Sequence, residues 1–178
     1  MGFFEMTERG LEEVPDASAR LLAERVQGAS GTTVLGGMEG SRSVLAEVQA
    51  LVGSPTPSTP GRTVLGMDRS RMQMLLAVLA KNGYAMYDRD VFISAAGGLR
   101  ITEPAADLAI ASAIASSFRD EAIDHRTLMF GEIGLVGEVR AVSHPAQRLL
   151  EAKRHGFTRV LAPRSALQHA PEGLEVVG

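Results

Sequence analysis

Arginine is the residue type in this sequence that is best suited to binding an anion. The chain has 18 lysines and arginines, and only Lys81 and Lys153 are lysines. A guanidinium binds a phosphate through two parallel N–H groups, whereas an ammonium acts as a point charge. Four arginines lie beside a Pro/Gly loop, a predicted helix start or a glycine turn, where they can reach phosphates: Arg62, Arg69, Arg71 and Arg100. They form a predicted phosphate-binding patch.

Two further candidates, Arg140 and Arg148, are suited either to phosphate binding or to a subunit interface. The formal net charge is −3, but the first 50 residues hold eight acids and four bases, so a positive surface belongs to the remainder. Two other interpretations stay open. The arginines can be solvated and paired with acids such as Asp88 and Asp90, and the preference for arginine over lysine is also typical of a GC-rich genome.

Several other kinds of site are excluded by motifs that the sequence lacks. No glycine is followed by lysine, so there is no phosphate loop of the G-x-x-x-x-G-K-[ST] type. The chain has no cysteine, and its four histidines form no i, i+4 pair. His144 precedes Pro145 at a predicted helix start, which suits a cap, an exposed position or a polar role at an interface. We therefore expect neither cofactor nor metal in this chain.

Hydrophobic periodicity predicts the strands and helices that must position these side chains. Two short strands joined at Arg9-Gly10 fall within residues 3–14, and a capped helix follows over 19–25. Further strands are predicted over 32–38, 44–52, 63–66, 91–95, 127–131, 137–142 and, as the last, 159–162. Helices are predicted over 69–81, 104–118 and 145–155, and the proline-rich segment 53–61 is predicted to be a loop.

These elements predict an α+β fold with mixed sheets and packed helices, without regular βαβ winding. The helix over 104–118 is rich in alanine and serine, so we expect it to pack closely against its neighbours. Gly131, Gly134 and Gly137 open no helix, and their spacing predicts a tight turn between strands instead of a dinucleotide site.

Two segments of the sequence carry a family pattern. The first is Thr102-Glu-Pro-Ala-Ala-Asp-Leu at the start of the small-residue helix, and the second is Phe130-Gly-Glu-Ile-Gly-Leu-Val-Gly-Glu-Val. From about Arg62 to Pro163 the chain resembles the proteolytic domain of Lon, whose D-G-P-S-A-G pattern is followed by T-G-E-(I/V)-x-L-x-G. The resemblance implies the Lon proteolytic-domain-like fold, the type of ribosomal protein S5 domain 2.

The Lon pattern also shows which reacting groups this chain lacks. Its nucleophilic serine falls on Ala105, its lysine base on Ala146, and the glycine after the serine on Asp107. Without a hydroxyl or an amine the serine–lysine mechanism has neither of its reacting parts. Ser112 or Ser116 as a displaced nucleophile is an alternative, but no lysine accompanies either of them. The resemblance therefore implies an inactive protease-like domain, and we expect no enzyme activity from this chain.

A closer resemblance covers essentially the whole chain. Gly2-Phe-Phe-Glu-Met-Thr-Glu-Arg-Gly, Glu24-Arg-Val-Gln-Gly-Ala-Ser-Gly, Glu47-Val-Gln-Ala-Leu-Val and Ser143-His-Pro resemble the carboxy-terminal Lon-like domain of the RadA (Sms) family of bacterial DNA repair proteins. The resemblance implies that residues 1–27 are a tail after a RecA-like ATPase core that is absent here, and that residues 28–178 are the Lon-like domain. ATP, Mg and Zn are then expected only in the missing amino-terminal parts, and the location is the bacterial cytoplasm, at the nucleoid.

The same resemblance implies a domain that binds DNA and assembles into a homohexameric ring, within a protein of ATP-dependent branch migration in recombinational repair. A RecA-type recombinase is a further expected partner. The chain has no Trp, two Tyr and six Phe, so DNA binding is expected to use backbone phosphates, and alanine at Arg62, Arg69 or Arg71 to weaken it at low salt. The alternatives are a hexamer scaffold or protein-interaction domain without direct DNA contact, and an atypical peptidase.

Overall fold

The computed structural model of this protein describes residues 4–178, and of Glu5 only the backbone. Its strands are β1 (Phe4–Thr7), β2 (Gly10–Glu13), β3 (Thr32–Glu39), β4 (Arg42–Pro55), β5 (Arg62–Leu65), β6 (Arg89–Ala95), β7 (Thr127–Met129), β8 (Glu132–Ile133), β9 (Val139–Arg140), β10 (Arg159–Leu161) and β11 (Glu175–Val177). Its α-helices are α1 (Ala17–Leu22), α2 (Arg69–Lys81), α3 (Asp107–Arg119) and α4 (Pro145–Arg154). Within this part of the chain, no helix is long and apolar enough to span a bilayer.

A seven-stranded mixed sheet organises the fold, with the strand order β11-β10-β7-β3-β4-β6-β5. β4 pairs antiparallel with β3 and β6, and the other neighbours in this sheet are parallel. The pairs β1-β2 and β8-β9 form two small antiparallel hairpins. The prediction of an α+β fold with mixed sheets and packed helices is confirmed, and the finer Lon-like topology stays a prediction.

The core lies against the middle strands of the large sheet. Residues 44–48 of β4 are all buried, which indicates that both faces of the sheet are covered there. α3 packs on one face, where the Thr33 hydroxyl donates to the Ala109 carbonyl at 2.9 Å. α1 lies on the opposite face, beside Glu47 and Gln49. Gln49 and Leu51 are exposed whereas Ala50 between them is buried, so this second face becomes open to solvent there.

α1 is part of the packed structure, although it falls within the predicted tail of residues 1–27. Ser18 is 2% exposed, and its hydroxyl donates to Glu151 Oε1 at 2.7 Å and accepts from the Leu45 amide at 3.0 Å. Further along, Arg25 Nη2 donates to the His125 carbonyl at 2.5 Å. These contacts join residues 16–25 to α4 and the sheet. The division of the chain at residue 27 stays a prediction that rests on the resemblance.

Most predicted elements are present with small shifts at their ends. The bounds of α2 agree with the prediction over 69–81, and the two strands predicted within 3–14 appear as β1 and β2, although Phe3 lies outside the described residues. The helix predicted over 19–25 begins two residues earlier, because the Asp16 side chain accepts from the Ala19 amide at 2.9 Å and caps the chain there.

Four of the sequence predictions need correction. The helix predicted from Pro104 starts as a 3-10 turn over Pro104–Ala106, because the Ala105 carbonyl accepts from Gly131 and the Leu108 amide donates back to Gly131. The predicted loop 53–61 starts later, since β4 continues through a bulge to Pro55, which pairs with Arg89. Instead of a strand over 137–142, a short hairpin forms around the predicted tight turn, where the Gly137 amide donates to the Gly134 carbonyl. A further strand, β11, follows the one predicted as last.

Candidate nucleic-acid interface

The two positions that correspond to the Lon nucleophile and base are structural in this chain. Ala105 is 2% exposed, and its carbonyl accepts from the Gly131 amide at 2.8 Å. Ala146 is half-buried in the first turn of α4. Ser116 is 5% exposed, and its hydroxyl accepts from the Gly31 amide at 2.9 Å and donates to the Glu121 carbonyl at 2.5 Å. Its hydroxyl is therefore occupied in joining α3 to the start of β3, and neither alanine offers a reacting group.

Asp107, at the Lon glycine position, forms a buried ion pair with Arg71. The Asp107 carboxylate is fully buried and binds the guanidinium through both oxygens, at 2.5 Å to Nε and 2.6 Å to Nη2. The Ile133 amide donates to the same carboxylate at 3.0 Å. The hydrogen bond to Asp107 raises the pKa of Arg71 above its ordinary value. Arg71 thus joins α2 to α3, and only 29% of its side chain is exposed.

Arg148, the candidate for phosphate binding or a subunit interface, is fully buried, so its guanidinium is inaccessible to a phosphate in this structure. Its guanidinium donates to Glu103 Oε2 at 2.6 Å, to the Gly36 carbonyl at 2.6 Å and to the Ser143 carbonyl at 2.9 Å. It also lies 5.7 Å from the centre of the Phe130 ring. Because its donors are used inside the fold, Arg148 joins α4 to β3 and to the segment before α3.

Arg62 is likewise used to hold the sheet edge together. Its Nη1 donates to the carbonyls of Gly61 and Arg89, and its Nη2 donates to the Met86 carbonyl at 2.6 Å. Asp90, an acid predicted as an arginine partner, accepts instead from the Gly61 amide at 2.6 Å. Three carbonyl acceptors leave Arg62 little capacity for a phosphate, although it is only half-buried.

Arg69 and Arg100 are exposed, and neither forms a hydrogen bond or ion pair with any residue that the structure describes. Both line a cleft of about 530 Å³ between the start of α2 and the segment before Pro104. We call this the arginine cleft, and its lining residues are Met67, Asp68, Arg69, Ser70, Arg71, Met74, Arg100, Ile101 and Thr102. It brings together three of the six arginines that the sequence predicted.

The arginine cleft depends on one glycine that allows two backbone segments to meet. Met67 and Ile101 form an isolated parallel bridge, and the Ile101 amide donates to the Gly66 carbonyl at 2.7 Å. Gly66 has a φ of +76°, and a Cβ placed on it would lie 2.3 Å from the Leu99 carbonyl oxygen. Only glycine fits this approach, and the approach sets Arg69 beside Arg100.

The arginine cleft carries a net positive charge, although one acid also lines it. The α2 amino terminus opens into it, so the positive end of the helix dipole lies at the cleft. Asp68 caps this end, accepting from the Ser70 hydroxyl at 2.5 Å and from the Arg71 amide at 2.8 Å. The bond from Ser70, followed by that from Arg71, lowers the pKa of Asp68, so the carboxylate is charged at neutral pH. Two unpaired arginines face this one acid, since the charge of Arg71 is matched by Asp107.

The remaining candidates lie elsewhere and have different surroundings. Arg140, in β9, donates to Glu138 Oε1 at 2.8 Å and lies 3.9 Å from Glu132 Oε1, with 55% of its side chain exposed. His144 has a left-handed backbone with a φ of 57°, makes no side-chain cap to α4 and is exposed. The structure therefore does not bring Arg140 or His144 into the arginine cleft.

The acids that neutralise Arg71 and Arg148 were not predicted from the sequence. Asp107 lies 36 residues from Arg71, and Glu103 lies 45 residues from Arg148, so no local spacing indicates either pair. One signal was present, because Asp107 stands in a run of alanines that was predicted to pack closely. An acid in such a run must be buried, and a buried carboxylate needs a cation or several donors.

Comparison with known proteins finds two kinds of similarity. A family model described as subunit ChlI of Mg-chelatase matches residues 48–166. DNA repair protein RadA of Pseudomonas aeruginosa is 45% identical over 179 residues, which cover 99% of this chain. The proteins of the same name from Streptococcus pyogenes serotype M6 and Bacillus subtilis are 45% and 43% identical over 181 residues, which cover 100% of this chain. The chain spans 40% of the length of each of these relatives.

Proposed function

Because the chain belongs to the family described as subunit ChlI of Mg-chelatase, and is homologous over its full length to part of the RadA proteins, we propose that it serves DNA repair as a DNA-binding, ring-forming domain. The relatives are named DNA repair proteins, which supports the general role. In this proposal the domain works in the bacterial cytoplasm together with an ATPase core, and ATP, Mg and Zn bind to that part of the protein. A RecA-type recombinase is a further proposed partner.

The observation that carries the proposal is the pair of unpaired arginines in the arginine cleft. An exposed arginine without an acid partner has all five N–H donors available for phosphate oxygens. Arg69 is the first residue of α2, and Arg100 lines the same cleft. The helix dipole at this end adds a positive field, which the Asp68 cap reduces in part. This arrangement suits the sugar-phosphate backbone and offers no aromatic platform for a base.

One such cleft supplies only a few phosphate contacts, so a single domain should bind DNA weakly. A ring of identical domains would present the same cleft several times to one DNA molecule. Linked sites of this kind raise the overall affinity by orders of magnitude without any new type of contact. Ring assembly and DNA binding are therefore two parts of one proposal.

A variant in which Arg69 and Arg100 are both alanine tests DNA binding at the arginine cleft. We expect weaker binding of this variant to DNA at low salt, because two phosphate contacts are lost. The slope of log Kobs against log salt should fall in magnitude by about 1.8 for duplex DNA, or about 1.4 for a single strand, per pair of contacts. Fluorescence anisotropy with labelled oligonucleotides at several salt concentrations measures both quantities.

A second double variant, Arg42→Ala with Arg164→Ala, is the matched control. Both arginines are exposed, lie outside the arginine cleft and have no side-chain hydrogen bond or ion pair with any described residue. Equal losses in the two double variants would mean that binding depends on net charge and not on the cleft. A wild-type chain that fails to bind DNA even at low salt would remove the DNA-binding part of the proposal.

A second candidate function, assembly without DNA contact, is favoured by the open face of the sheet. Leu51, Phe92 and Leu65 are exposed by 61%, 42% and 60%. Leu51 pairs with Phe92 across β4 and β6, and Phe92 pairs with Thr63 of β5, so these side chains share one surface. An apolar surface of this kind is typical of a protein–protein contact, and in this candidate function it meets another copy of the chain.

The second prediction tests this surface in a variant that carries Leu51→Gln and Phe92→Gln. We expect it to weaken self-association by about tenfold or more, because large apolar side chains at the centre of an interface contribute most to binding. Sedimentation velocity over a range of concentrations measures the effect, and Leu150→Gln is the control, since Leu150 is 59% exposed on α4. Unchanged assembly in the double variant would place the contact elsewhere on the chain.

A further inference from the structure

Glu47 is a buried acid without a hydrogen-bond partner among the described residues. It lies in β4, is 3% exposed, and its Oε1 is inaccessible to solvent and makes no hydrogen bond in the described part of the chain. A buried carboxylate normally binds a cation or several N–H donors, since its removal from water is otherwise costly. Neither the arginine cleft nor the protease-like positions involve this residue.

Glu47 lines a cleft of about 460 Å³ between the sheet and the amino-terminal elements. We call it the leader cleft, and its walls include Phe4, Val14, Leu21, Glu47, Gln49 and Leu99. Its volume lies within the range of about 300–1,000 Å³ that small-molecule sites occupy. The walls are largely apolar, so the cleft combines an aliphatic lining with one buried carboxylate.

The described charged groups around the leader cleft make no hydrogen bond with Glu47 Oε1. Glu24 and Arg20 lie at its edge, where their side chains approach to 4.0 Å and are 92% and 51% exposed. Arg25 is a half-buried cation whose charge interacts with Glu47, but its Nη2 donates to the His125 carbonyl and its Nε makes no hydrogen bond in the described part of the chain. Burial lowers the pKa of Arg25, and the charges of Glu47 and Asp124 oppose this shift. The influence of Arg25 on Glu47 therefore acts across a distance and not through a hydrogen bond.

We propose that the leader cleft binds an alkylguanidinium or alkylammonium cation, with the charged group on the Glu47 carboxylate and the alkyl chain against Leu21 and Leu99. Such a ligand would suit both features of the cleft, because it would supply the N–H donors that the carboxylate lacks and its methylene groups would cover the apolar walls. The cation belongs either to an arginine or lysine side chain of a protein partner or to a free small molecule. This inference does not depend on DNA binding at the arginine cleft.

The test uses the whole 178-residue chain and two probes of nearly equal shape. n-Propylguanidinium is a cation, and n-propylurea is its neutral counterpart. We expect saturable chemical-shift changes at the amides of Ala96, Gly97 and Leu99 with the cation, and binding of the urea that is weaker by about tenfold or more. Acetyl-arginine-amide and acetyl-citrulline-amide repeat the comparison for a protein-borne side chain. Tighter binding of the arginine compound than of n-propylguanidinium identifies a protein as the source, and the reverse order identifies a small molecule.

Glu47→Gln supplies the second arm of the test, because it keeps the shape of the side chain and removes its charge. We expect it to weaken n-propylguanidinium binding by about tenfold or more, whereas Glu24→Gln at the edge changes it by less than about threefold. Equal responses to guanidinium and urea in the unchanged chain overturn the proposal without any variant. A Glu47→Gln chain that stays folded by circular dichroism and binds the cation as before also overturns it. A water that bridges Glu47 and Arg25 and that no probe displaces is a third result that overturns it.

Discussion

Replacing Arg148 by methionine is expected to lower the free energy of unfolding by about 3–5 kcal/mol, the usual cost of breaking a buried ion pair. Arg148 is fully buried, and its guanidinium serves Glu103 and the carbonyls of Gly36 and Ser143. Methionine fills much of the same volume, so the loss reflects polar groups left without donors and not a cavity. Urea unfolding followed by circular dichroism measures the change.

Two further variants separate the ion pair from a general effect of removing an arginine. Arg42→Met removes an exposed arginine without a side-chain partner in the described structure, and we expect a change within about 0.5 kcal/mol. Adding Glu103→Gln to the Arg148→Met variant should recover about 1 kcal/mol, because the stranded charge is removed while an acceptor remains for the Met38 amide. A loss below about 1 kcal/mol for Arg148→Met would contradict the role assigned to this side chain.

The part of the fold that the sequence predicts best is the part held by local interactions. α2 has its predicted bounds because an apolar stripe runs through it, because Asp68 caps its first turn, and because no distant segment competes for its backbone groups. α3 differs, since the Leu108 amide in its first turn donates to the Gly131 carbonyl, and the Gly131 amide donates to the Ala105 carbonyl just before the helix. Periodicity within the helix cannot reveal a partner as distant along the chain as Gly131.

The arginines show the same limit for the candidate site. The residue type predicted anion binding for all six, yet the fold uses Arg62 and Arg148 for its own backbone and acids. Arg69 and Arg100 are adjacent only because Gly66 lets the two segments touch, and a single sequence does not show that contact. The sequence therefore indicates which side chains can bind an anion. Whether such a side chain is free to bind one depends on contacts between residues that are distant along the chain.

Arg71 links the stability of the fold to the composition of the arginine cleft. Its charge is matched by Asp107, but 29% of its side chain is exposed and it lines the same cleft as Arg69 and Arg100. A change that releases it from Asp107 would supply a third unpaired arginine. The buried ion pair thus joins α2 to α3, and it also neutralises the charge that Arg71 would otherwise add to the cleft.

Replacing Asp107 by asparagine is accordingly expected to lower stability and strengthen DNA binding together. We expect a loss of about 2 kcal/mol in the free energy of unfolding, because the charge-assisted bonds to Arg71 disappear while asparagine still accepts from the Ile133 amide. Arg71 can then turn towards a phosphate, and the slope of log Kobs against log salt should grow in magnitude by about 0.9 for duplex DNA. Urea unfolding and anisotropy titrations measure the two effects.

Glu172→Gln makes the same change of charge at an exposed position whose side chain has no partner among the described residues. We expect it to leave stability within about 0.5 kcal/mol and the salt slope unchanged. Equal gains in DNA binding by the two variants would show a response to net charge, whereas a stability loss without any gain would show that Arg71 stays inside. A loss of stability together with a gain in DNA binding in Asp107→Asn alone would tie Asp107 to the arginine cleft, because Asp107 is buried in the core and its partner Arg71 lines the cleft.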